Sequence, residues 1–244
     1  MNQVKTSPLF QPLYRQIKSL ITQSLIAGEW APGAAIPSEF DLADRYGVSQ
    51  GTVRKAIDEL AAEKILMRRQ GKGTYVATHS EEEVKLRFLR LVAADGGKEL
   101  LDNQLLSCER VKASVEMARL LAIKAGSVVI EIKRLLLFSG KPLIHDHIVL
   151  PAAAFKGVNT ALIERYNGSM YRMYESELGI RMVRAEERLT AIGADAQMAA
   201  ALSLKAGTPL LSIERVSFTY GDKPMEWRLG LCLTDKHHYL NHLE

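Results

Sequence analysis

Apolar residues recur at helical spacing near the start of the chain. Leu13, Ile17, Leu20, Ile21 and Leu25 lie one helical face apart from the charged and amide side chains between them. The pattern predicts an amphipathic helix over residues 12–27. Its apolar stripe must pack on further elements, because a short helix gains most of its stability from tertiary contacts.

Two shorter helices with capping signals follow the first. Ser38 begins a capping-box pattern that predicts a helix over residues 39–46. Gly47 permits a sharp reversal of the chain, and Ser49 is placed to cap a helix over residues 50–64. Two capped helices joined by a tight glycine turn predict a helix-turn-helix.

A glycine-tipped β-hairpin is expected next. Residues 65–69 and 74–76 read as two strands joined by Gln70-Gly71-Lys72-Gly73. The glycines would let the backbone approach a sugar-phosphate chain closely, and Lys72 would bring a cation to the same place. A helix, a helix-turn-helix and a hairpin wing, in this order, predict a winged helix-turn-helix that binds DNA.

The outer face of the second helix of this pair carries the candidate base readers. Gln50, Thr52, Arg54 and Lys55 lie near its N-terminus, which is the end that a recognition helix inserts first into the major groove. Arginine and glutamine can bond base edges with two hydrogen bonds. Surface cations on capped helices are common, however, and the pattern by itself also fits a merely solvated face.

The same residues resemble the winged-helix domain of GntR-type regulators. The resemblance lies in residues 12–17, 37–39, 46–49, 52–56 and 71–76, in order and without gaps. It implies that six residues face DNA, namely Ser38, Arg45, Ser49, Thr52, Arg54 and Gly73. Many relatives carry a basic residue after Pro-Ser-Glu, whereas this chain has Phe40, so one DNA contact is expected to differ.

The pattern changes after a polar, acidic stretch over residues 78–86, which predicts a linker between a first domain at 1–77 and a second at 87–244. The second domain is expected to be mixed α/β, which makes the whole chain α+β. Strands are predicted at 88–92, 105–111, 128–138, 143–150, 182–192, 210–219 and 225–233, and helices at 114–121, 169–178 and 195–202.

The second domain contains an internal repeat. Residues 117–126 resemble residues 198–207, and each copy is followed by an apolar strand. The spacing between the copies is constant, so Arg134 and Arg215 occupy equivalent strand positions. A helix-turn-strand unit that occurs twice predicts a pseudo-symmetric sheet.

This half resembles the UTRA ligand-sensing domain of the HutC branch of GntR regulators, whose fold is similar to chorismate lyase. The resemblance lies in residues 132–134, 140–151, 168–171, 178–180, 202–211 and 223–226. It implies an effector pocket lined by Arg134, Asp146, Ser169, Tyr171 and Glu226.

The chemistry of that set suits an anion. Ser169 lies at a predicted helix start, where its hydroxyl and free amides could bind a negative group, and Arg134 could add a bidentate contact. The alternative is that Arg134 forms a structural ion pair with Glu226 and that Ser169 only caps its helix. Leu136 stands where sugar-phosphate-binding relatives often carry a second arginine, so a small carboxylic acid and a sugar phosphate are both open as effectors.

Composition adds limits to this picture. The net charge is +4, and residues 1–78 carry ten Lys or Arg against seven Asp or Glu, which suits phosphate contacts at that end. The apolar runs are short for a membrane span, and the N-terminus lacks a secretory signal, so we expect a cytoplasmic protein with no membrane association. The two cysteines, Cys108 and Cys232, are expected to remain thiols.

Two other functional classes remain open. His145-Asp146-His147 places two imidazoles on one face of a strand, a spacing that can bind a metal, although no third ligand is near in sequence and no cofactor or metal is predicted. A constitutive architectural DNA-binding protein would use its second domain only to dimerise. The expectation is not an enzyme but a repressor, a homodimer that binds a palindromic DNA operator and responds to a small anionic metabolite.

Overall fold

The computed structural model describes residues 11–78, 90–97 and 99–241. The chain divides at Thr78 into two compact units. Of the linker expected over residues 78–86, residues 79–86 lie outside the described residues.

The first unit contains three helices and a hairpin. Its elements are α1 (Leu13–Ile26), α2 (Glu39–Tyr46), α3 (Gln50–Ala62), β1 (Leu66–Arg69) and β2 (Gly73–Val76). The capping signals act as expected: Ser38 and Asp41 form a reciprocal capping box, and Gly47 ends α2 with a left-handed φ of 64°. The buried side chains of α1 and α3 alternate with exposed ones at helical spacing, which explains why the sequence pattern locates these helices.

The second unit contains four α-helices and eight strands among its described residues. The helices are α4 (Val115–Leu120), α5 (Thr160–Arg165), α6 (Met170–Leu178) and α7 (Ala196–Ala201). The strands are β3 (Leu91–Ala93), β4 (Leu101–Lys112), β5 (Val128–Phe138), β6 (Lys141–Pro151), β7 (Arg184–Gly193), β8 (Pro209–Thr219), β9 (Lys223–Leu233) and β10 (His237–Tyr239).

Six of these strands form one antiparallel sheet in the order β4-β5-β6-β9-β8-β7. The order has the pseudo-symmetry that the repeat predicts, because β4-β5-β6 and β7-β8-β9 meet at the central pair β6 and β9. The remaining two strands, β3 and β10, form a separate antiparallel ribbon. The sequence pattern missed α5 and β10, which are only six and three residues long.

Alternate residues of each strand face opposite sides of the sheet. On one side Ile132 packs in a core with α5 and α6, and Leu136 packs in a second core with Leu91 of the ribbon. On the other side the sheet is covered by α4 and α7. Arg134 lies between Ile132 and Leu136 on β5, so a polar band crosses the sheet between the two apolar cores.

Candidate DNA interface and effector pocket

The exposed face of α3 carries the side chains that the sequence assigns to DNA. Gln50, Arg54 and Lys55 are exposed and Thr52 is half-buried. Ser49 caps the helix, since its Oγ accepts a hydrogen bond from the Thr52 amide at 3.2 Å. The side chains expected to contact bases therefore lie at the N-terminal end of α3, where the Ser49 cap fixes the first turn.

A single carboxylate connects this face to α2 and to the hairpin. Glu39 Oε2 accepts hydrogen bonds from Arg54 Nε at 2.9 Å and Gln50 Nε2 at 3.3 Å, and its Oε1 lies 2.9 Å from a guanidinium nitrogen of Arg68. Burial alone would raise the pKa of Glu39, but the hydrogen bonds from Arg54 and Arg68 outweigh it and lower the pKa below its ordinary value. Glu39 is therefore an anion that holds two guanidinium groups beside the recognition helix.

The other predicted DNA-facing residues lie on the same unit. Arg45 pairs with Glu29 and its guanidinium carbon lies 5.8 Å from the centre of the Trp30 ring. Ser38 forms the N-cap of α2. Gly71, Lys72 and Gly73 are exposed at the tip of the hairpin, where both glycines adopt positive φ. The sequence did not single out Arg68, whose bond to Glu39 depends on how the hairpin folds back.

Phe40, which stands where many relatives carry a basic residue, has an exposed side chain. Phe40 is 73% exposed, the second residue of a helix whose other apolar residues, Leu42 and Ala43, are buried. It follows Glu39, whose carboxylate accepts hydrogen bonds from Arg54 and Gln50 of the recognition helix.

In the second unit, Arg134 and Asp146 are direct neighbours in the register of β5 and β6. Arg134 donates through Nε to Asp146 Oδ2 at 2.8 Å, and both side chains are buried. Arg134 also donates to the carbonyl of Gly168 and to Asn103 Oδ1 at 3.3 Å. A Cβ at Gly168 would lie 2.3 Å from the Asn103 side chain, so this approach requires glycine.

Glu226 pairs with Arg228 and not with Arg134, which corrects the ion pair considered from the sequence. Its two oxygens accept hydrogen bonds from Tyr171 at 2.7 Å and Tyr174 at 2.9 Å, and Arg228 contacts both oxygens at 3.1 and 2.9 Å. The reason is positional: Glu226 and Arg228 alternate on β9 and so share a face, whereas β6 separates β9 from β5.

The repeated arginine of the second copy also faces a carboxylate. Arg215 donates through Nε to Glu187 Oε1 at 2.6 Å, and these residues are direct neighbours in the register of β8 and β7. The hydroxyl of Tyr239, from the ribbon, also bonds Glu187. Three arginines and three carboxylates thus form what we term the arginine cluster, consisting of Arg134, Arg215, Arg228, Asp146, Glu187 and Glu226.

Ser169 occupies the N-cap position of α6 without capping it. Its φ and ψ are −73° and 76°, and its side chain makes no hydrogen bond to a helix amide. The capping role considered for Ser169 is therefore wrong. Its half-buried hydroxyl follows Gly168, whose carbonyl bonds Arg134.

A small pocket of about 40 Å³, partly open to solvent, lies against one part of this cluster. Its described lining consists of Arg90, Leu91, Leu136, Ile144, Asp146, Ile213, Arg215, Arg228, Gly230 and Cys232. Of the five effector residues expected from the sequence, only Asp146 lines this pocket. Arg134, Tyr171 and Glu226 belong to the hydrogen-bond network that holds Asp146 and Arg228 in place.

The sequence missed Arg215 and Arg228 as pocket residues. The repeat already placed Arg215 at the position equivalent to Arg134, and the spacing of Glu226 and Arg228 put them on one strand face. These signals point to each residue separately, but only the strand register shows that Arg215 and Arg228 line the same pocket.

The opposite charges of the arginine cluster stabilise one another's ionised forms. Burial alone would raise the pKa of Asp146, but Arg228 and Arg134 outweigh it and lower the pKa below its ordinary value. Burial opposes the charge of Arg228 as well, and Asp146 and Glu226 nevertheless hold its pKa well above the ordinary value. Both groups are therefore ionised at neutral pH.

The paired histidines lie away from this pocket. His145 and His147 face the side of the sheet opposite to Asp146, because successive strand residues alternate. His147 Nε2 lies 2.9 Å from Glu131 Oε1, and its ring packs edge-on against Trp227. The described residues contain no group of three potential metal ligands. Within the same residues, no helix is both long and apolar enough to cross a membrane.

Comparisons with known proteins match both units. Residues 13–76 match the family described as bacterial regulatory proteins, gntR family, and residues 97–238 match the UTRA domain.

Two curated relatives are similar over almost their whole length. The HTH-type transcriptional regulator YurK of Bacillus subtilis is 31% identical, over 92% of this chain and 93% of that protein. A protein of Escherichia coli named as a probable fructoselysine utilization operon transcriptional repressor is 27% identical, over 93% of this chain and 92% of its own.

A solved structure matches the second unit. The ligand-binding domain of a GntR-family transcriptional regulator from Bordetella bronchiseptica is 41% identical, with a TM-score of 0.63, over 65% of this chain and 98% of that domain. The relatives are named as transcriptional regulators and repressors, and none of these three is named as an enzyme.

Proposed function

Because this chain belongs to the GntR family of bacterial DNA-binding transcriptional regulators and carries a UTRA domain, we propose that it is a metabolite-responsive repressor of the HutC branch. It binds a palindromic operator as a homodimer, and a small anionic metabolite in the UTRA domain changes its affinity for DNA.

The observation that carries the DNA-binding part is the junction at Glu39. This carboxylate binds Arg54 and Gln50 of the recognition helix and Arg68 of the hairpin. Two helices and the wing are thereby joined through the side chains that face DNA. In the unbound protein, Glu39 holds the Arg54 side chain in position. When Arg54 enters the major groove, its hydrogen bond to Glu39 is replaced by one to a base edge or a phosphate.

Phe40 gives this reader a preference of its own. An exposed phenyl group on α2 cannot form a hydrogen bond to a phosphate or a base edge, but it can contact the methyl group of thymine in the major groove. The operator is therefore expected to carry a thymine at the position that Phe40 reaches.

The effector part rests on the pocket of the arginine cluster. Its buried charged groups stand next to apolar side chains, which is the composition expected of a small-molecule site. The Bordetella domain is named a ligand-binding domain, and we extend that role to this one. The effector acts by binding the DNA-bound and DNA-free arrangements with different affinities, since a ligand can shift an equilibrium only by that difference.

Selection from a random duplex pool tests the proposal. Purified protein should enrich a palindrome, and Arg54→Ala should abolish the enrichment. Arg119→Ala is the matched control, because Arg119 is also an exposed arginine that pairs with a glutamate but lies on α4 of the UTRA domain. It should enrich the same palindrome as the wild-type protein. Equal enrichment by Arg54→Ala would contradict the role of α3, and a selected site without two-fold symmetry would contradict the homodimer.

A further inference from the structure

One edge of the large sheet is long and regular. Strand β7 is the last of the six, and among the described residues it pairs with β8 alone, over ten residues in one unbroken register. It contains no proline and no bulge, two of the devices that keep sheet edges from pairing with other chains. The opposite edge, β4, is interrupted by a bulge between Leu105 and Ser107. Of the two edges, β7 is therefore the better suited to accept a further strand.

The side chains of β7 also favour pairing. Residues 189–193 are all exposed and carry no charge. Leu189 and Ile192 are exposed apolar residues that point to opposite faces of the sheet. All four charged residues of β7 have ion pairs within the chain, namely Arg184, Glu186, Glu187 and Arg188. A strand added beside β7 would therefore cover apolar surface on both faces without meeting an uncompensated charge.

The order of charges along β7 fits a second copy of the same strand. In a two-fold antiparallel pair, one residue lies opposite its own copy, and residues equally far before and after it lie opposite each other. A pair centred on Glu186, Glu187 or Arg188 would place identical charges directly opposite, which is destabilising. A pair centred on Leu189 places no like charges opposite each other and joins residues 185–193 of the two copies. Every other centre that avoids the repulsion pairs fewer residues of β7.

In this register Leu189 is covered by its own copy. Directly opposed residues of antiparallel strands have Cα atoms about 4.5–5.5 Å apart, so the two leucine side chains make contact. On the other face of the sheet, Ile192 lies opposite Glu186 of the second copy, whose carboxylate is already paired with Arg184 in its own chain. The two six-stranded sheets become one continuous sheet.

The same edge adjoins the pocket. In the register of β7 and β8, Leu189 is the neighbour of Ile213 and Glu187 is the neighbour of Arg215. Ile213 and Arg215 both line the pocket. A ligand that moves β8 would therefore also move the strand that meets the second copy.

We propose that two copies of this chain associate by antiparallel pairing of β7 with β7, centred on Leu189. This inference rests on the proposed function, which requires two copies related by a two-fold axis, and it assigns the surface that joins them. The two readers of the palindrome are then held by one sheet, and each pocket lies one strand away from the junction.

Disulfide cross-linking tests the register. In Leu189→Cys the two thiols face each other within the Cα separation that a disulfide requires, about 4.4–6.8 Å. We expect this variant to form a covalent dimer on mild oxidation, seen on a non-reducing gel. Ile192→Cys is the matched control: it is also exposed on β7, but it lies six residues, about 20 Å, from its own copy. Ile192→Cys and the wild-type protein should give no covalent dimer.

Leu189→Asp tests the surface without cross-linking. It places two carboxylates directly opposite each other, which should raise the Kd of the dimer roughly a hundredfold in analytical ultracentrifugation of the full chain. Leu106→Asp is the matched control, because Leu106 is exposed to a similar extent but lies on the opposite edge strand, β4. It should leave the Kd unchanged. Far-UV circular dichroism should show that both variants are folded, since both leucines are exposed in the wild-type chain.

Three results would overturn the proposal: a wild-type chain that is a monomer, a dimer that Leu189→Asp leaves intact, or equal cross-linking of Leu189→Cys and Ile192→Cys. Operator selection separates this failure from that of the proposed function. A chain that enriches a palindrome but keeps its dimer in Leu189→Asp retains the proposed function and loses only this interface. A chain that enriches no site loses the proposed function, whichever surface joins its copies.

Discussion

Replacing Asp146 by asparagine should strongly destabilise the UTRA domain. The substitution keeps the shape of the side chain and removes the charge that Arg134 and Arg228 share. Arg134 has a side chain only 4% exposed, so its guanidinium would remain buried without a carboxylate. Removing one partner of a buried ion pair costs about 3–5 kcal/mol, and the lower end applies here because asparagine keeps an oxygen that accepts hydrogen bonds.

A loss of about 3 kcal/mol corresponds to a fall in Tm of about 6–12 °C for a domain of this size. Calorimetric unfolding of the full chain at neutral pH measures it. Glu116→Gln is the matched control: it removes the same charge from an arginine–glutamate pair, but both side chains are more than half exposed. It should leave the Tm unchanged.

The pH dependence of the difference follows from the lowered pKa of Asp146. Since the folded-state pKa is below the unfolded one, the stabilisation is complete above about pH 4 and is lost as the pH falls through the folded-state value. The gap between wild type and Asp146→Asn should therefore be constant from pH 7 to pH 5 and should narrow in stronger acid. A Tm equal to that of Glu116→Gln would refute the argument, as would a gap that widens in acid.

Three further predictions concern the first unit. Ser49→Ala removes the cap of α3 and should lower the free energy of unfolding by about 1 kcal/mol in urea titrations; an unchanged midpoint would contradict the role of the cap. Lys72→Ala should reduce the slope of log Kd against log salt by about one, whereas an unchanged slope would remove the wing from the phosphate contacts. Operator thymines can be replaced one at a time by deoxyuridine, and at one position in each half-site this should weaken wild-type binding about fourfold, the value of one buried methyl group. The same replacement should leave binding by Phe40→Ala unchanged. Equal effects on both proteins would show that Phe40 does not contact that methyl group.

The first unit could be predicted almost entirely because its signals are local. Ser38, Gly47 and Ser49 mark helix ends through contacts within four residues of chain, so their positions appear directly in the sequence. Helix α5 has the same kind of signal in Asn159, but a single cap on six residues does not stand out without an apolar stripe.

The arginine cluster could be predicted only in part, because its pairs depend on strand register. The sequence offered Arg134, Asp146 and Glu226 without their pairing. Asp146 is the cross-strand neighbour of Arg134, while Glu226 stands two strands away. Bulges at Leu136 and at Ser217 shift the register of these strands, and no periodicity of the sequence reveals such shifts.

The two halves of the sheet carry opposite charges where they meet. Strands β6 and β9 begin with the same Lys-Pro pair, which makes Asp146 and Arg228 equivalent positions of the two copies. If the two halves were identical, positions 146 and 228 would carry side chains of the same charge, and these would repel each other. The present chain has opposite charges there, 3.3 Å apart. Each half is therefore complementary to the other and not to itself, so the two copies are no longer interchangeable.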